Sequence, residues 1–171
     1  MDRGGHRLDA LDVDLIARLR AEPRIGMLEL SRRAGVARAT VQARLHRLEE
    51  AGVVTGYGPE IDLRTAGYPV QAFVTLEIAQ GSLDQLTKEL EEYPEVVQAW
   101  ATTGVGDVLC RVAAASHDAL QALLIALHHS STVARSMSVV VLSEIVAFRT
   151  LPLLAKSVRA QDNDNSPERR T

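Results

Sequence analysis

The sequence predicts an α+β chain in two parts, an N-terminal winged helix-turn-helix followed by a ferredoxin-like βαββαβ sandwich. Three observations carry that reading. Apolar residues recur at helical spacing as far as Leu48 and then switch to β-branched, strand-like runs from Val70 onward. Glycines punctuate the first part at Gly35 and Gly52, where a turn between helices and a helix end call for them. The charge balance changes along the chain as well: residues 1–56 hold ten Lys and Arg against eight Asp and Glu, whereas 57–171 hold nine against fourteen. With 171 residues, 46% hydrophobic and 24% charged, the chain can close two small cores.

Leu8, Leu11, Leu15 and Leu19, with Val13 and Ile16 beside them, place a first helix over about 9–21. Asp9 and Asp12 suit its positive N-terminal end, and Pro23 and Arg24 close it. A short second helix follows over 27–33, then the Gly35 turn, then a third helix over 38–51 with Val41, Leu45 and Leu48 on one face. Ala37 stands where a Ser or Thr would cap that third helix. The stretch 53–63, with β-branched residues around Gly58-Pro59, reads as a hairpin, the wing and exit of the first domain. This gives a winged helix-turn-helix over 1–63 and a linker over 64–69.

Beyond the linker, strands are expected over 70–78, 96–103, 107–113 and 134–146, with helices over 82–93 and 117–128. They make up a sandwich domain over 70–151. The two helices cover one face of the antiparallel sheet and leave the other open. An open apolar face on a chain this small implies a partner, most simply a second copy. Residues 152–171 are dominated by polar and charged side chains from Lys156 on and read as a disordered tail.

Several classes of chemistry are set aside. Cys110 is the single cysteine, so no disulfide framework or multi-cysteine metal site is expected, and a reducing cytoplasm fits. No apolar run reaches membrane-spanning or signal-peptide length. His128 and His129 are adjacent, so on a helix they diverge by about 100° and are poorly placed to share a metal. There is no phosphate-binding loop or dinucleotide fingerprint. Neither a catalytic constellation, a cofactor nor a metal is expected.

The formal net charge of -3 argues on its own against a nucleic-acid partner. The distribution reverses that inference, because residues 30–48 hold Arg32, Arg33, Arg38, Arg44 and Arg47 with no acidic residue. On the third helix Ala39, Ala43, His46 and Glu50 lie opposite the apolar face, flanked by Arg38, Thr40, Gln42 and Arg47. Ala39 and Ala43 permit close approach to a groove, and Arg and Gln can make bidentate contacts with base edges. Arg32, Arg33 and Arg44 are better placed for phosphates. An arginine-rich outer face is also what many solvated helices carry. Its conjunction with a short helix, a glycine turn, an apolar-faced helix, a terminating glycine and a hairpin points to double-stranded DNA.

A second candidate is Thr103-Gly104-Val105-Gly106-Asp107, between two strands. Its glycines leave backbone N–H groups accessible to a carboxylate, and Asp107 can pair with an α-ammonium. The same residues also suit a plain tight turn.

Taken together, "LDALDVDLIARL", "ELSRRAGVARATVQARLHRLEEAGVVTGY", "AGYPVQAFVTLEI" and "TTGVGDVLCRV" resemble the Lrp/AsnC, or feast/famine, family of transcriptional regulators, from Leu8 to about Leu151. The resemblance implies a DNA-binding domain joined to an αβ-sandwich, the RAM domain, which dimerises through its open sheet face. It further implies assembly into tetramers, octamers or hexadecamers, and a small effector, usually an amino acid, bound between dimers. By that resemblance Thr102, Thr103, Gly104, Gly106 and Asp107 line one wall of the effector pocket, with Thr132 and Val133 contributed from a neighbouring segment or subunit. Two departures stand out: Thr132 where the family usually has Gly, and Gly106 where it often has an aromatic or polar residue. Siroheme decarboxylases share the two-domain layout and represent the rival, enzymatic reading. A third is an effector-independent architectural protein that bridges DNA.

Overall fold

The computed structural model describes residues 7–79 and 83–164. The chain divides into two compact units, one of Met1–Pro59 with Ala147–Thr171, the other of Glu60–Val146. Among the described residues, no helix is long and apolar enough to cross a membrane.

The first unit is built on α1 (Ala10–Ala21), α2 (Met27–Ala34) and α3 (Arg38–Glu50). Asp9 caps α1, accepting the N–H of Asp12 at 2.9 Å, while the Asp12 carboxylate accepts the N–H of Asp9 at 3.1 Å. This reciprocal pair satisfies two donors that a helix start otherwise leaves open. Gly35, at φ +68°, makes the turn from α2 to α3 in a conformation that side chains resist. Ala37 offers no capping oxygen, and its carbonyl instead accepts Thr40 N–H at 3.0 Å and Val41 N–H at 3.2 Å. Leu15, Leu30, Val41 and Leu48 are fully buried at the centre of this unit.

Residues 53–63 do not form the expected hairpin: no strand is found between α3 and Val70. Val53 and Val54 donate to the Leu48 carbonyl at 2.9 and 3.1 Å, which folds them back on the end of α3 and takes them out of reach of a ladder. Tyr57 fixes the next residues by donating to Glu49 Oε1 at 2.6 Å. Burial and the neighbouring Glu49 carboxylate push its phenol up to about 12.

The tail is corrected more strongly. Instead of disorder from 152 onward, α6 (Leu151–Asp164) packs on α1 within the first unit. Leu154 joins the core of that unit and Val158 is buried. Arg7 donates to Gln161 at 2.8 Å, and Arg20 to the Phe148 carbonyl at 3.1 Å. Low apolar content concealed a helix that sets Leu154 and Val158 against the first unit while Leu153 stays exposed. The last part of the tail call, 165–171, lies outside the described residues.

The second unit holds β1 (Val70–Ile78), α4 (Leu83–Glu91), β2 (Val96–Ala101), β3 (Val108–Ala114), α5 (His117–His128) and β4 (Val133–Val140). The sheet runs β2-β3-β1-β4, all neighbours antiparallel. Ser82, expected to open α4, lies outside the described residues. β4 stops at Val140 rather than Val146, and 141–150 continue without strand or helix. Ala72, Val74 and Leu76 of β1 and Val108, Cys110 and Val112 of β3 alternate into a core closed by Leu86 and Leu90 of α4 and by Leu120, Leu123 and Leu127 of α5. Burial pushes the Cys110 thiol up to about 11, which suits a packed side chain and not a nucleophile. The register sets Phe73 beside Arg111 and Val139, Thr75 beside Leu109 and Met137, and Leu109 beside Trp100, all on the face without helices.

Val158→Asp drives a carboxylate into the seam between α1 and α6 and is expected to cost the first unit about 3 kcal/mol. Arg159→Asp, on the exposed neighbour, is expected to change the melting temperature little; comparing the two by thermal unfolding checks the placement of α6.

Candidate functional site

The buried face of α3 is Val41, Leu45 and Leu48, so its outer face is fixed by elimination. Arg38, Ala39, Thr40, Gln42, Ala43, His46 and Arg47 are exposed and Arg44 is half-buried. Ala39, Thr40, Ala43, Arg44 and Arg47 border a shallow depression on that face. Small side chains at its centre let another molecule approach the helix backbone closely.

The five arginines of 30–48 are not equivalent. Arg32 and Arg38 are exposed and have no ion pair among the described residues. Arg33 bonds Glu22 at 2.7 Å and Glu29 at 2.8 Å, all three partners well exposed, so water competes with these contacts. Arg44 and Arg47 turn toward α1. Arg47 Nη2 lies 2.7 and 2.9 Å from the two oxygens of Asp12. Arg44 Nη1 lies 3.1 Å from Asp12 Oδ1 and also donates to Asp9 Oδ2. Asp12 is completely buried, so these guanidinium groups stand in for the water it has lost.

Asp9 and Asp12 are the partners of these arginines that sequence reasoning placed but misjudged, giving them only a helix-end role. The signal was available: Asp12 interrupts the stripe Leu8, Leu15, Leu19, all buried, and a carboxylate on an apolar stripe requires a cation from a neighbouring element. Burial works against ionisation of Asp9, but the hydrogen bonds from Arg44 and the Asp12 N–H, with the Arg44 charge, outweigh it and hold the carboxyl below its ordinary value of 3.8.

In the second unit the two segments singled out for a small ligand meet at one end of the sheet. Asp107 Oδ2 accepts the N–H of Ile78 at 2.7 Å, and the next residue, Ala79, donates to the Thr132 carbonyl at 2.9 Å. The end of β1 thus spaces the 102–107 loop from the 130–133 loop. Within the first loop Thr102 N–H donates to the Asp107 carbonyl at 2.9 Å and its hydroxyl to the Gly106 carbonyl at 3.1 Å. Gly104 and Gly106 both have positive φ, +113° and +86°. A Cβ on Gly106 would meet Thr75 Cγ2 at 2.3 Å and the Leu76 carbonyl oxygen at 3.2 Å, so here glycine is required for space as well as conformation. Thr102, Thr103, Gly104 and Asp107 are exposed.

Thr132 and Val133 differ from these. Thr132 is buried, its hydroxyl bonded to Glu89 of α4 and close to the Ser130 hydroxyl, which itself donates to Glu89 at 2.8 Å. Val133 packs in the core. Both side chains point into the unit, and the Thr132 N–H is itself engaged, donating to Ser130 Oγ at 3.0 Å. Glu89 was not singled out from the sequence, where it reads as an ordinary helix-surface carboxylate.

A model of the Lrp/AsnC ligand binding domain matches residues 71–151, and one of a winged helix-turn-helix DNA-binding domain matches 8–55. The regulator LrpA of Mycobacterium tuberculosis is 33% identical over 143 residues, covering 83% of this chain and 95% of its own. The regulator FL11 of Pyrococcus furiosus is 29% identical over 105 residues, 61% of this chain and 70% of its own. Among solved structures, E. coli AsnC superposes with a TM-score of 0.79 at 26% identity, over 86% of this chain and 100% of its own. A Neisseria meningitidis transcriptional regulator solved in complex with L-Met gives 0.76 at 27% identity, over 86% and 97%.

Two outcomes follow from the geometry. Gly106→Ala is expected to destabilise the second unit by about 2 kcal/mol or more, because it adds both strain and overlap, whereas Gly104→Ala meets no atom within 4 Å and is expected to cost only the strain; urea unfolding separates them. Asp9, ionised more readily in the folded state, stabilises the first unit at pH values above its ordinary 3.8, and that contribution is lost as pH falls through the lower folded value. Asp9→Asn, which keeps a capping oxygen, is therefore expected to flatten the acid limb of a stability-against-pH curve.

Proposed function

This chain belongs to the Lrp/AsnC family of DNA-binding transcriptional regulators, and from that premise we propose that it reads DNA through the outer face of α3 under the control of a small effector, an amino acid. The observation that carries the DNA part is the exposed face running from Arg38 to Arg47, with alanines at its centre and Arg38 and Gln42 available for base edges. Arg32 and Arg33 on α2 flank it, and Arg44, His46 and Arg47 complete its rim.

The effector part rests on the sheet end described above. Exposed Asp107 has one oxygen engaged by Ile78, and its other oxygen, which has no side-chain partner among the described residues, can accept an ammonium. Thr102, Thr103, Gly104 and Gly106 supply hydroxyls and a glycine-rich backbone for a carboxylate. The loop that carries Thr132 and Val133 bounds the site from the far side of β1. A regulator of similar fold was solved with L-Met, in keeping with an amino-acid ligand for this domain.

Such sites in an oligomer are completed by symmetry. The open sheet face carries Phe73, Trp100, Met137 and Val139, each 38% exposed or more, with Arg111 held by Gln71 at 2.8 Å in its midst. An apolar surface of that kind supports a homodimer, and dimers that assemble further. Effector binding would then change either the assembly or the affinity for DNA.

Arg38→Ala is expected to weaken binding to duplex DNA by about tenfold at fixed salt, measured by fluorescence anisotropy; unchanged affinity would remove α3 from the groove. Thermal shift with each of the twenty amino acids tests the effector, a rise with at least one being expected and none with any of them counting against it. Light scattering of Met137→Glu is expected to show a smaller particle than the natural chain.

A further inference from the structure

We propose that Asp9 and Asp12 are positioning residues for DNA binding: they hold Arg44 and Arg47 on α1, so that neither guanidinium offers its full charge to DNA, and leave that task to Arg38, at the base edges, and to Arg32. The proposal rests on α3 being the groove-facing helix and adds which of its arginines act there.

The two classes of arginine differ in what they would have to give up. Arg47 engages both oxygens of Asp12, at 2.7 and 2.9 Å, from a single nitrogen. Arg44 bridges Asp12, at 3.1 Å, and Asp9. A phosphate could draw the full charge of either one only by competing with a carboxylate that has no exposure to solvent and already shares that charge. An unpaired charge left in such a place is strongly unfavourable, whereas a phosphate at the protein surface is already well served by mobile counterions. Arg32 and Arg38 have no such competitor among the described residues.

The same contacts give the pinned arginines a different use. Residues 44 and 47 are three apart and share one side of α3, so two bridges to a single carboxylate fix the rotation of the helix about its axis. That rotation decides which way Arg38, Thr40 and Gln42 face. The side chains of Arg44 and Arg47 also border the depression beside Ala39, Thr40 and Ala43, contributing shape there. On this reading the five-arginine segment presents fewer phosphate contacts than its composition suggests, and its binding is less salt-sensitive.

The full chain is titrated against a fluorescein-labelled mixed-sequence duplex at about 50 to 200 mM salt, and the slope of log K against log salt is read; each phosphate contact contributes about 0.9 to it. Arg38→Gln is expected to flatten the slope by about that amount. The charge-neutral pair deletion, Asp12→Asn together with Arg47→Gln, is expected to keep the slope of the natural chain. Asp12→Asn alone, which releases the guanidinium, is expected to steepen it by up to about 0.9. A pair deletion that flattens the slope as Arg38→Gln does, or an Asp12→Asn slope that fails to steepen, overturns the proposal. If Arg38→Gln itself leaves the slope unchanged, the groove assignment of α3 fails instead, which is a separate result. Should the Asp12 variants not fold by circular dichroism, Asp9→Asn together with Arg44→Gln serves in their place, since Asn caps a helix as well as Asp does; a slope like that of the natural chain supports the proposal, and one flattened as by Arg38→Gln overturns it.

Discussion

A carboxylate with no access to water needs cations brought to it, and in the first unit this requirement falls on Asp12. The residue sits on the apolar stripe of α1 between Leu8 and Leu15, a place that burial suits to an aliphatic side chain. Its charge is met by two arginines from α3 and by the backbone of its own helix start. Hydrophobic contacts among Leu15, Leu30, Val41 and Leu48 supply the burial, but such contacts tolerate sliding and rotation. Hydrogen bonds to fixed oxygens do not. The orientation of the outer face of α3 therefore depends on an interaction at its inner edge.

The second unit works by a comparable economy at the end of β1. Consecutive N–H groups of Ile78 and Ala79 are no longer needed by a regular ladder, and each reaches to a different loop. This brings a glycine-rich turn and a hydroxyl-rich turn to opposite sides of one strand end. Glu89, bonded by Ser130 and Thr132, carries the arrangement into α4. A change at the loops is thus mechanically connected to a helix that covers the core.

Most of this architecture could be read from the residue pattern. α5 was expected over the same residues it occupies, and β1 likewise, because alternation or helical spacing is sustained there and flanked by clear breaks. The exposed residues of α3 followed from the positions of Val41, Leu45 and Leu48. What escaped were features set by partners distant in sequence. The expected hairpin failed because Val53 and Val54 bond back to Leu48, a choice that β-propensity does not encode. α6 was missed because Leu154 and Val158 have meaning only beside α1. Sequence pattern also treated Arg44 and Arg47 like Arg38, since the carboxylates that distinguish them lie more than thirty residues earlier.

The chain passes between its two units twice, once after Pro59 and again after Val146. The DNA-binding unit is consequently not a bead at the end of a single string, because its own fourth helix arrives from the other terminus. A segment ending at Pro59, moved onto another regulator, would lack the surface that α6 covers on α1. Modularity in this protein therefore does not follow the order of the sequence: the part that can be exchanged as a unit is discontinuous, and the sandwich is an insertion within it.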